Sequence, residues 1–203
     1  YGRGYVSSDY IVIISDEVMN ALRQTEETNS ETEETQIPLK AEDWELLNIF
    51  TVAKDVSSDN RNFNMAKACE AINGMELAPG EYFDWYGENG VGPADAEHGF
   101  KEATVLVNGS PTPGYGGGVC QVATALYNCI YGIGIDADEH YPHSKTQSYV
   151  KDGMVEAAVA YGTKTLVFHN TKDYTIGFEA YVERCGEDGK GGQVVVSVYK
   201  VIK

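Results

Sequence analysis

Cys120 is the residue whose surroundings most clearly indicate chemistry. It follows Gly116, Gly117 and Gly118 and lies in the first turn of a predicted helix. Unpaired N–H groups and the positive end of the helix dipole favour the thiolate there, so the sequence predicts a nucleophile with a depressed pKa. The glycines would let a substrate backbone lie beside the sulfur, and the N–H of Cys120 or Gln121 would hold an oxyanion.

A nucleophilic thiol needs a base and a group that orients the base. The sequence contains four histidines: His98, His140, His143 and His169. His140 and His143 follow the predicted helix closely, and either one could face Cys120. Asp152 and Glu156 are the acids next along the chain, and Glu156 opens a strand-like stretch. We therefore expect Cys120 as nucleophile, His143 as general base and Glu156 as the orienting acid.

Two other uses of the same residues stay open. His140, His143 and Cys120 would supply three zinc ligands and a nearby carboxylate a fourth, although no Cys-x-x-Cys or His-Glu-x-x-His spacing is present. Alternatively, the glycine-rich turn simply packs a small structural cysteine. We expect no metal and no cofactor.

The elements that must position these residues predict an α+β fold. Apolar residues recur with helical spacing from 122 to 133 and from 63 to 72, and Asn60 or Asn62 is the expected N-cap of the earlier helix. Strands are expected at 46–52, 81–86, 104–107, 156–161, 176–182 and 193–201. The turn Asn108-Gly109 favours a hairpin, and the last two strands should form another. We therefore expect a central helix starting at Cys120 and packed on an antiparallel sheet.

Composition excludes several classes of function. The chain has 203 residues with 15 basic and 31 acidic side chains, a net charge of −16. Nucleic acid and anionic lipid both require basic surfaces, so neither is expected as a partner. No segment approaches the ~20 apolar residues of a membrane helix, so no membrane insertion is expected within this chain. Four cysteines, at 69, 120, 129 and 185, are too few to define a disulfide framework.

The N-terminal part is predicted to be separate from the main domain. Residues 4–11 resemble the closing strand of bacterial SH3-like wall-targeting modules, and Tyr1 suggests a fragment or a processed chain. Residues 25–36 are rich in glutamate and have no apolar residue, which predicts a linker. The expected organisation is a strand and helix appendage at 1–24, an acidic linker at 25–39 and a domain at 40–203.

Several motifs together resemble the VanW-like family. They lie at 73–74, 77–83, 91–93, 99–103, 107–109, 113–127, 143–144, 161–162 and 166–171. The resemblance implies a bacterial, extracytoplasmic, cell-wall-associated protein without an established reaction. This sequence departs from the family in having two residues between His140 and His143, Glu156 in place of an aspartate, and Thr165 in place of an aspartate.

Two functional hypotheses follow. In the first, the protein is a thiol-dependent acyl-transfer enzyme, a peptidase, amidase or transpeptidase acting on peptidoglycan or another cell-wall peptide. The order of cysteine, histidine and acid is similar to that of transglutaminase-like and papain-like cysteine folds, which is an analogy of architecture. In the second, the protein is a non-catalytic wall-binding or scaffold module with a structural Cys120. Four aromatic residues are expected to line its ligand groove: Tyr82, Trp85, Tyr86 and Tyr115.

Overall fold

The computed structural model of the protein describes residues 43–54, 58–107, 110–185 and 191–202. These residues belong to one compact unit, Pro38–Lys203. The predicted appendage at 1–24, the linker at 25–39 and the SH3-like resemblance lie outside the described residues, as does the turn Asn108-Gly109. No helix among the described residues is long and apolar enough to cross a bilayer.

The described chain contains two helices and eight strands. In chain order they are β1 (Trp44–Lys54), α1 (Asp59–Ile72), β2 (Glu76–Leu77), β3 (Tyr82–Asp84), β4 (Glu102–Val107), β5 (Ser110–Tyr115), α2 (Val119–Tyr131), β6 (Val167–His169), β7 (Ile176–Cys185) and β8 (Gly191–Val201). This is a mixed α+β fold, as the sequence predicted.

The largest sheet has four antiparallel strands in the order β1-β8-β7-β2. β7 and β8 pair from Ile176 opposite Lys200 onward, which confirms the predicted C-terminal hairpin. Alternate valines of β8 (Val194, Val196 and Val198) are fully buried in the main core, because β-branched side chains pack well on a pleated surface. α2 packs against β1 and β8.

Helix α2 is the buried centre of the domain. It begins at Val119, one residue before the predicted start, and most of its residues are buried. The Asn48 side chain of β1 donates to the Cys129 carbonyl of α2 over 2.8 Å, which ties the helix to the sheet. Cys69 and Cys129 are buried free thiols, so neither is oxidised to a disulfide.

Helix α1 confirms its predicted apolar stripe and corrects its predicted start. Met65, Cys69 and Ile72 are buried in the core, as expected. The helix begins earlier, however, and its N-cap is Ser58, whose hydroxyl accepts from the N–H of Arg61. The expected cap Asn60 instead donates its side-chain amide to the Glu102 carbonyl of β4.

Two smaller antiparallel pairs complete the fold. β4 and β5 pair with Val107 opposite Ser110, which confirms the predicted hairpin. β3 pairs with β6 and is shorter than predicted, because the chain turns after Asp84, whose carboxylate accepts from the N–H of Tyr86.

Candidate active-site groove

Three side chains of α2 bind the backbone of residues 155–159. Cys120, Thr124 and Asn128 lie four residues apart and therefore on one face of the helix. Each of them bonds both backbone groups of one residue in the neighbouring segment: Cys120 binds Val159, Thr124 binds Ala157 and Asn128 binds Val155. We call this arrangement the side-chain ladder. The ladder replaces a partner strand, so the predicted strand at 156–161 is wrong.

The ladder also determines where Glu156 points. Successive residues of an extended segment face opposite sides, so Glu156 projects away from the groups of Val155 and Ala157 that face α2. Its carboxylate Oε1 lies 2.6 Å from Nδ1 of His143 and 3.3 Å from the backbone N of Gln147. The two side chains of this pair are mostly buried, with 15% of His143 and 8% of Glu156 exposed.

The contact with Glu156 fixes the role of each ring nitrogen of His143. Because an ionised carboxylate only accepts hydrogen bonds, this contact requires the proton of a neutral His143 ring on Nδ1, and Nε2 is then the acceptor. Neither residue lies in a regular strand, although the sequence predicted that Glu156 begins one.

A cavity of about 600 Å³ contains both Cys120 and His143. We call this cavity the groove. Other groove residues come from several parts of the chain: Arg61 of α1, Tyr86, Thr104 to Leu106 of β4, the turn 115–119, Ser144, Gln147, Tyr149 and residues 158–160, 163 and 164. The groove therefore brings together a thiol and an imidazole that are separated by a helix and a loop in the sequence.

The environment of the Cys120 thiol corrects one expectation. The thiol is half-buried, and burial raises its pKa above the ordinary value. The hydrogen bond from the Val159 backbone and the positive charges of Arg61 and Lys164 act in the opposite direction, but they do not outweigh burial. The predicted depressed pKa is therefore wrong for the resting groove, in which the thiol is protonated at neutral pH.

The backbone around Cys120 leaves only one of the two expected oxyanion donors. The N–H of Gln121 donates to the Gly118 carbonyl over 2.9 Å, so it is already used. The Gln121 side chain is buried and donates to the Ala53 carbonyl over 2.9 Å. Gln121 is therefore a structural residue, and the N–H of Cys120 remains as the expected donor.

The glycines before Cys120 allow close packing within the protein. A Cβ added at Gly117 would lie 2.5 Å from the Thr104 carbonyl oxygen, and one added at Gly118 would lie 2.8 Å from Met65 Cγ. All three glycines line the groove, but close packing within the protein already requires their lack of side chains: Gly116 packs against Ala94, Gly117 against β4 and Gly118 against α1. Their expected contact with a substrate stays a prediction.

Gly116→Ala should be much more destabilising than Gly162→Ala. Both glycines have positive φ, 74° and 76°, so both substitutions carry the same backbone strain of about 1–2 kcal/mol. A Cβ at Gly116 would also collide with Ala94, whereas nothing lies within 4 Å at Gly162. Overpacking should add about 1–3 kcal/mol, measurable by urea unfolding of both variants. Equal losses of unfolding free energy would contradict this reading of the turn.

The aromatic predictions have mixed outcomes. Trp85 does not line the groove, because it is fully buried and packs edge-on against Phe83 in the core. Tyr115 and Tyr86 do line the groove, and Tyr115 is half exposed. Tyr82 packs against the His169 ring in a tilted arrangement and is not a groove residue.

The structure distinguishes between the two histidines that the sequence left open. The His140 ring packs against Tyr127, with ring centroids 4.7 Å apart, and is not among the groove residues. His98 and His169 pair with Asp95 and Asp138 respectively, also outside the groove. Among the described residues, no group of three or more histidine, cysteine, aspartate or glutamate side chains is arranged to hold a metal ion.

Three groove residues with ionisable side chains were missed by sequence reasoning: Arg61, Tyr149 and Lys164. Burial raises the pKa of Tyr149 most, and the negative charge of a Cys120 thiolate raises it further. The Tyr149 phenol therefore stays protonated. The three residues come from α1 and from two loops, and no local spacing connects them to Cys120.

The edge of β4 at Leu106 has backbone groups that the β4–β5 hairpin does not use. Thr104 and Leu106 are paired with Pro113 and Pro111, which have no N–H, so both pairs are of the non-hydrogen-bonded kind. The N–H and C=O of Leu106 therefore point away from β5, and Leu106 lines the groove. The peptide groups of this edge suit an extended peptide.

The fold and this groove define an α+β protein with a cysteine, a histidine and a glutamate at the N-terminal end of a buried helix. The VanW like protein family matches residues 60–188, which include every one of these groups. The chain belongs to this family.

Two curated relatives support the assignment. The chain is 28% identical to the uncharacterized protein YoaR of Bacillus subtilis (strain 168) over 143 residues, which are 70% of this chain and 44% of that protein. It is 32% identical to the vancomycin B-type resistance protein VanW of Enterococcus faecalis (strain ATCC 700802 / V583) over 72 residues, 36% of this chain and 26% of that protein. The matches thus span less than half of either relative. No solved structure matches the chain.

Proposed function

We propose that this protein is a thiol-dependent acyl-transfer enzyme that acts on cell-wall peptides. The supporting observation is that Cys120 and His143 line one groove while Glu156 holds Nδ1 of His143 at 2.6 Å. A nucleophile, a base and a group that orients the base are the parts that acyl transfer requires.

The proposed reaction begins from a neutral thiol. Because burial raises the pKa of Cys120, His143 acts as a general base that removes the proton as the sulfur attacks a substrate carbonyl. The S–C bond forms, and the carbonyl oxygen becomes an oxyanion held by the N–H of Cys120. The amide C–N bond then breaks, and the proton passes from His143 Nε2 to the leaving amine. A thioester on Cys120 remains.

The second half of the reaction decides the enzyme class. Attack of water on the thioester would make the protein a peptidase or amidase, whereas attack of a second amine would make it a transpeptidase. In either case His143 takes a proton from the attacking group and returns it to the sulfur as the C–S bond breaks.

The peptide substrate is supported by the groove and by the family. The Leu106 edge of β4 would pair with an extended backbone. Membership of the VanW-like family and similarity to a vancomycin resistance protein favour an extracytoplasmic, cell-wall-associated role. The order of cysteine, histidine and acid is similar to that of transglutaminase-like and papain-like enzymes, and we propose this likeness as an analogy of chemistry.

Trapping of an acyl-enzyme tests the proposal. The protein would be incubated with a digest of peptidoglycan peptides, and the tryptic peptide containing Cys120 would be examined by mass spectrometry. We expect a thioester adduct on Cys120 together with new amide or free-amine products. Cys120→Ser should abolish both while keeping a donor and acceptor for Val159, and Cys69→Ala is the matched control. Products that persist in Cys120→Ser would overturn the proposed nucleophile.

A non-catalytic wall-binding or scaffold module is the second candidate. The observation that favours it is the side-chain ladder, in which the Cys120 sulfur both donates to and accepts from Val159 over 3.4 and 3.5 Å. In that case Cys120 is a structural residue and Cys120→Ser should preserve ligand binding in full. Retention of peptide binding without any turnover by the unmodified protein would favour this candidate.

A further inference from the structure

The charges in the groove differ in sign from those of the chain as a whole. The chain carries a net charge of −16, yet the cationic side chains of Arg61 and Lys164 line the groove. Among the described residues, no aspartate or glutamate side chain lines the groove. Glu156 lies behind His143 and is already bound by that ring and by the N–H of Gln147. The groove is therefore a local concentration of positive charge.

Neither cation is neutralised within the described part of the chain. Arg61 is half-buried, and its guanidinium contacts only the neutral amide oxygen of Gln121, at 3.4 Å. Lys164 is also half-buried, and its ammonium donates to the Pro142 carbonyl over 2.6 Å. The ion pairs found among the described residues all involve histidines elsewhere or the His143–Glu156 pair. Each cation thus retains unused donors.

Both cations act on the thiol itself. The positive charges of Arg61 and Lys164 each favour the Cys120 thiolate, and the negative charge of Glu156 opposes them, so all three lie within electrostatic reach of the sulfur. Arg61 comes from α1 and Lys164 from the turn after Ala160, so they approach the groove from different elements. A planar guanidinium and an ammonium that line one groove suit a carboxylate.

We propose that the groove recognises a ligand carboxylate next to the carbonyl that Cys120 attacks, with Arg61 and Lys164 as the specificity-determining residues. The reaction at Cys120 rests on the proposed function, but binding of the carboxylate by the two cations does not depend on it. The carboxylate is either the C-terminus of a peptide or an acidic side chain of one.

Alkylation of Cys120 by two reagents of different charge tests this proposal. Iodoacetate carries a carboxylate and iodoacetamide is its neutral counterpart; with both, the sulfur forms an S–C bond and iodide leaves. A change in the reactivity of the thiol affects both rates equally, so the ratio of the two rates reports only the effect of the reagent's charge. At pH 9 even a thiol that His143 does not activate will react, so the test stands if the enzyme proposal fails.

We expect the iodoacetate to iodoacetamide ratio at Cys120 to exceed that of a free cysteine peptide by about tenfold, and each charge removal to reduce it by about threefold. The removing variants are Arg61→Gln and Lys164→Gln. Lys151→Gln is the matched control, because Lys151 also donates to a backbone carbonyl but lies outside the groove. Arg61→Lys keeps the positive charge and should keep the ratio. A low ratio in Arg61→Gln but not in Arg61→Lys would therefore result from loss of charge and not from loss of folding.

Protection by small peptides distinguishes the source of the carboxylate. Acetyl-Gly-Ala with a free C-terminus, acetyl-Gly-Glu amide and acetyl-Gly-Gln amide would be compared at equal concentrations for slowing of iodoacetamide. Protection by the first alone indicates a terminal carboxylate, and protection by the second alone indicates a side-chain carboxylate. The proposal is overturned by an iodoacetate ratio equal to that of a free cysteine peptide, by a ratio that Arg61→Gln and Lys164→Gln leave unchanged, or by a Cys120 that neither reagent reaches.

Discussion

Replacing His143 with alanine should lower acyl transfer from a cell-wall peptide by about 10²–10⁴-fold, the usual contribution of a general base. The raised pKa of Cys120 makes this loss large, because the buried thiol remains protonated without help from the imidazole. The measurement is the rate of product formation from a peptidoglycan digest, followed by mass spectrometry.

His140→Ala is the matched control for this prediction. His140 lies three residues away in the same loop but packs on Tyr127 outside the groove. We expect its turnover within about twofold of the unmodified protein, since it touches none of the reacting groups. Equal losses in the two variants, or a larger loss in His140→Ala, would exclude His143 as the base.

Glu156→Gln is expected to be similarly damaging, with a loss of up to about 10⁴-fold in turnover. The carboxylate holds the proton on Nδ1 of His143, and an amide in its place permits the wrong tautomer. Folding should change little, because glutamine has nearly the same shape and can still accept from the N–H of Gln147. Far-UV circular dichroism and urea unfolding would verify that the fold is intact.

Two further variants sharpen the role of Glu156. Glu156→Asp keeps the charge on a shorter side chain and should recover part of the activity. Glu139→Gln removes a carboxylate of the same region that instead accepts from the Tyr141 hydroxyl, and it should be close to neutral. A fully active Glu156→Gln would show that the contact with His143 serves stability alone.

The local elements of this protein could largely be predicted from its sequence. The stripe of Met65, Cys69 and Ile72 and the β7–β8 hairpin follow from periodicity and turn residues, which act over a few residues. The VanW-like resemblance is likewise confirmed by the match at residues 60–188.

The site could be predicted only in part, because its contacts join distant segments. Residues 155–159 have the composition of a strand, but three of them bond through their backbone to Cys120, Thr124 and Asn128 on one face of the buried helix α2. Polar residues spaced four apart on the buried face of a helix were the available signal for this contact. The pKa of Cys120 was misjudged for a related reason, since the helix N-terminus is local whereas burial depends on the whole fold.

Trp85 and Arg61 show the same limit. In a run with aromatic residues at successive positions, the sequence does not indicate which side chains point into the core. Trp85 packs in the core and not in the groove. Arg61 lies in the first turn of α1, where a charged residue looks like ordinary solvent-facing polarity, and only packing of α1 against α2 turns it toward Cys120.

The pH dependence of iodoacetamide alkylation at Cys120, mapped by peptide mass, tests the central claim most directly. Because burial raises the pKa of Cys120, the unassisted thiol should react rapidly only well above the unperturbed value of about 8.5. If His143 removes the thiol proton, alkylation should already be rapid at pH 7, should slow at least tenfold in His143→Ala, and should be unchanged in His140→Ala. Alkylation that begins only above pH 8.5 and is equal in all three proteins would contradict a Cys120–His143 pair and leave Cys120 as a structural member of the side-chain ladder.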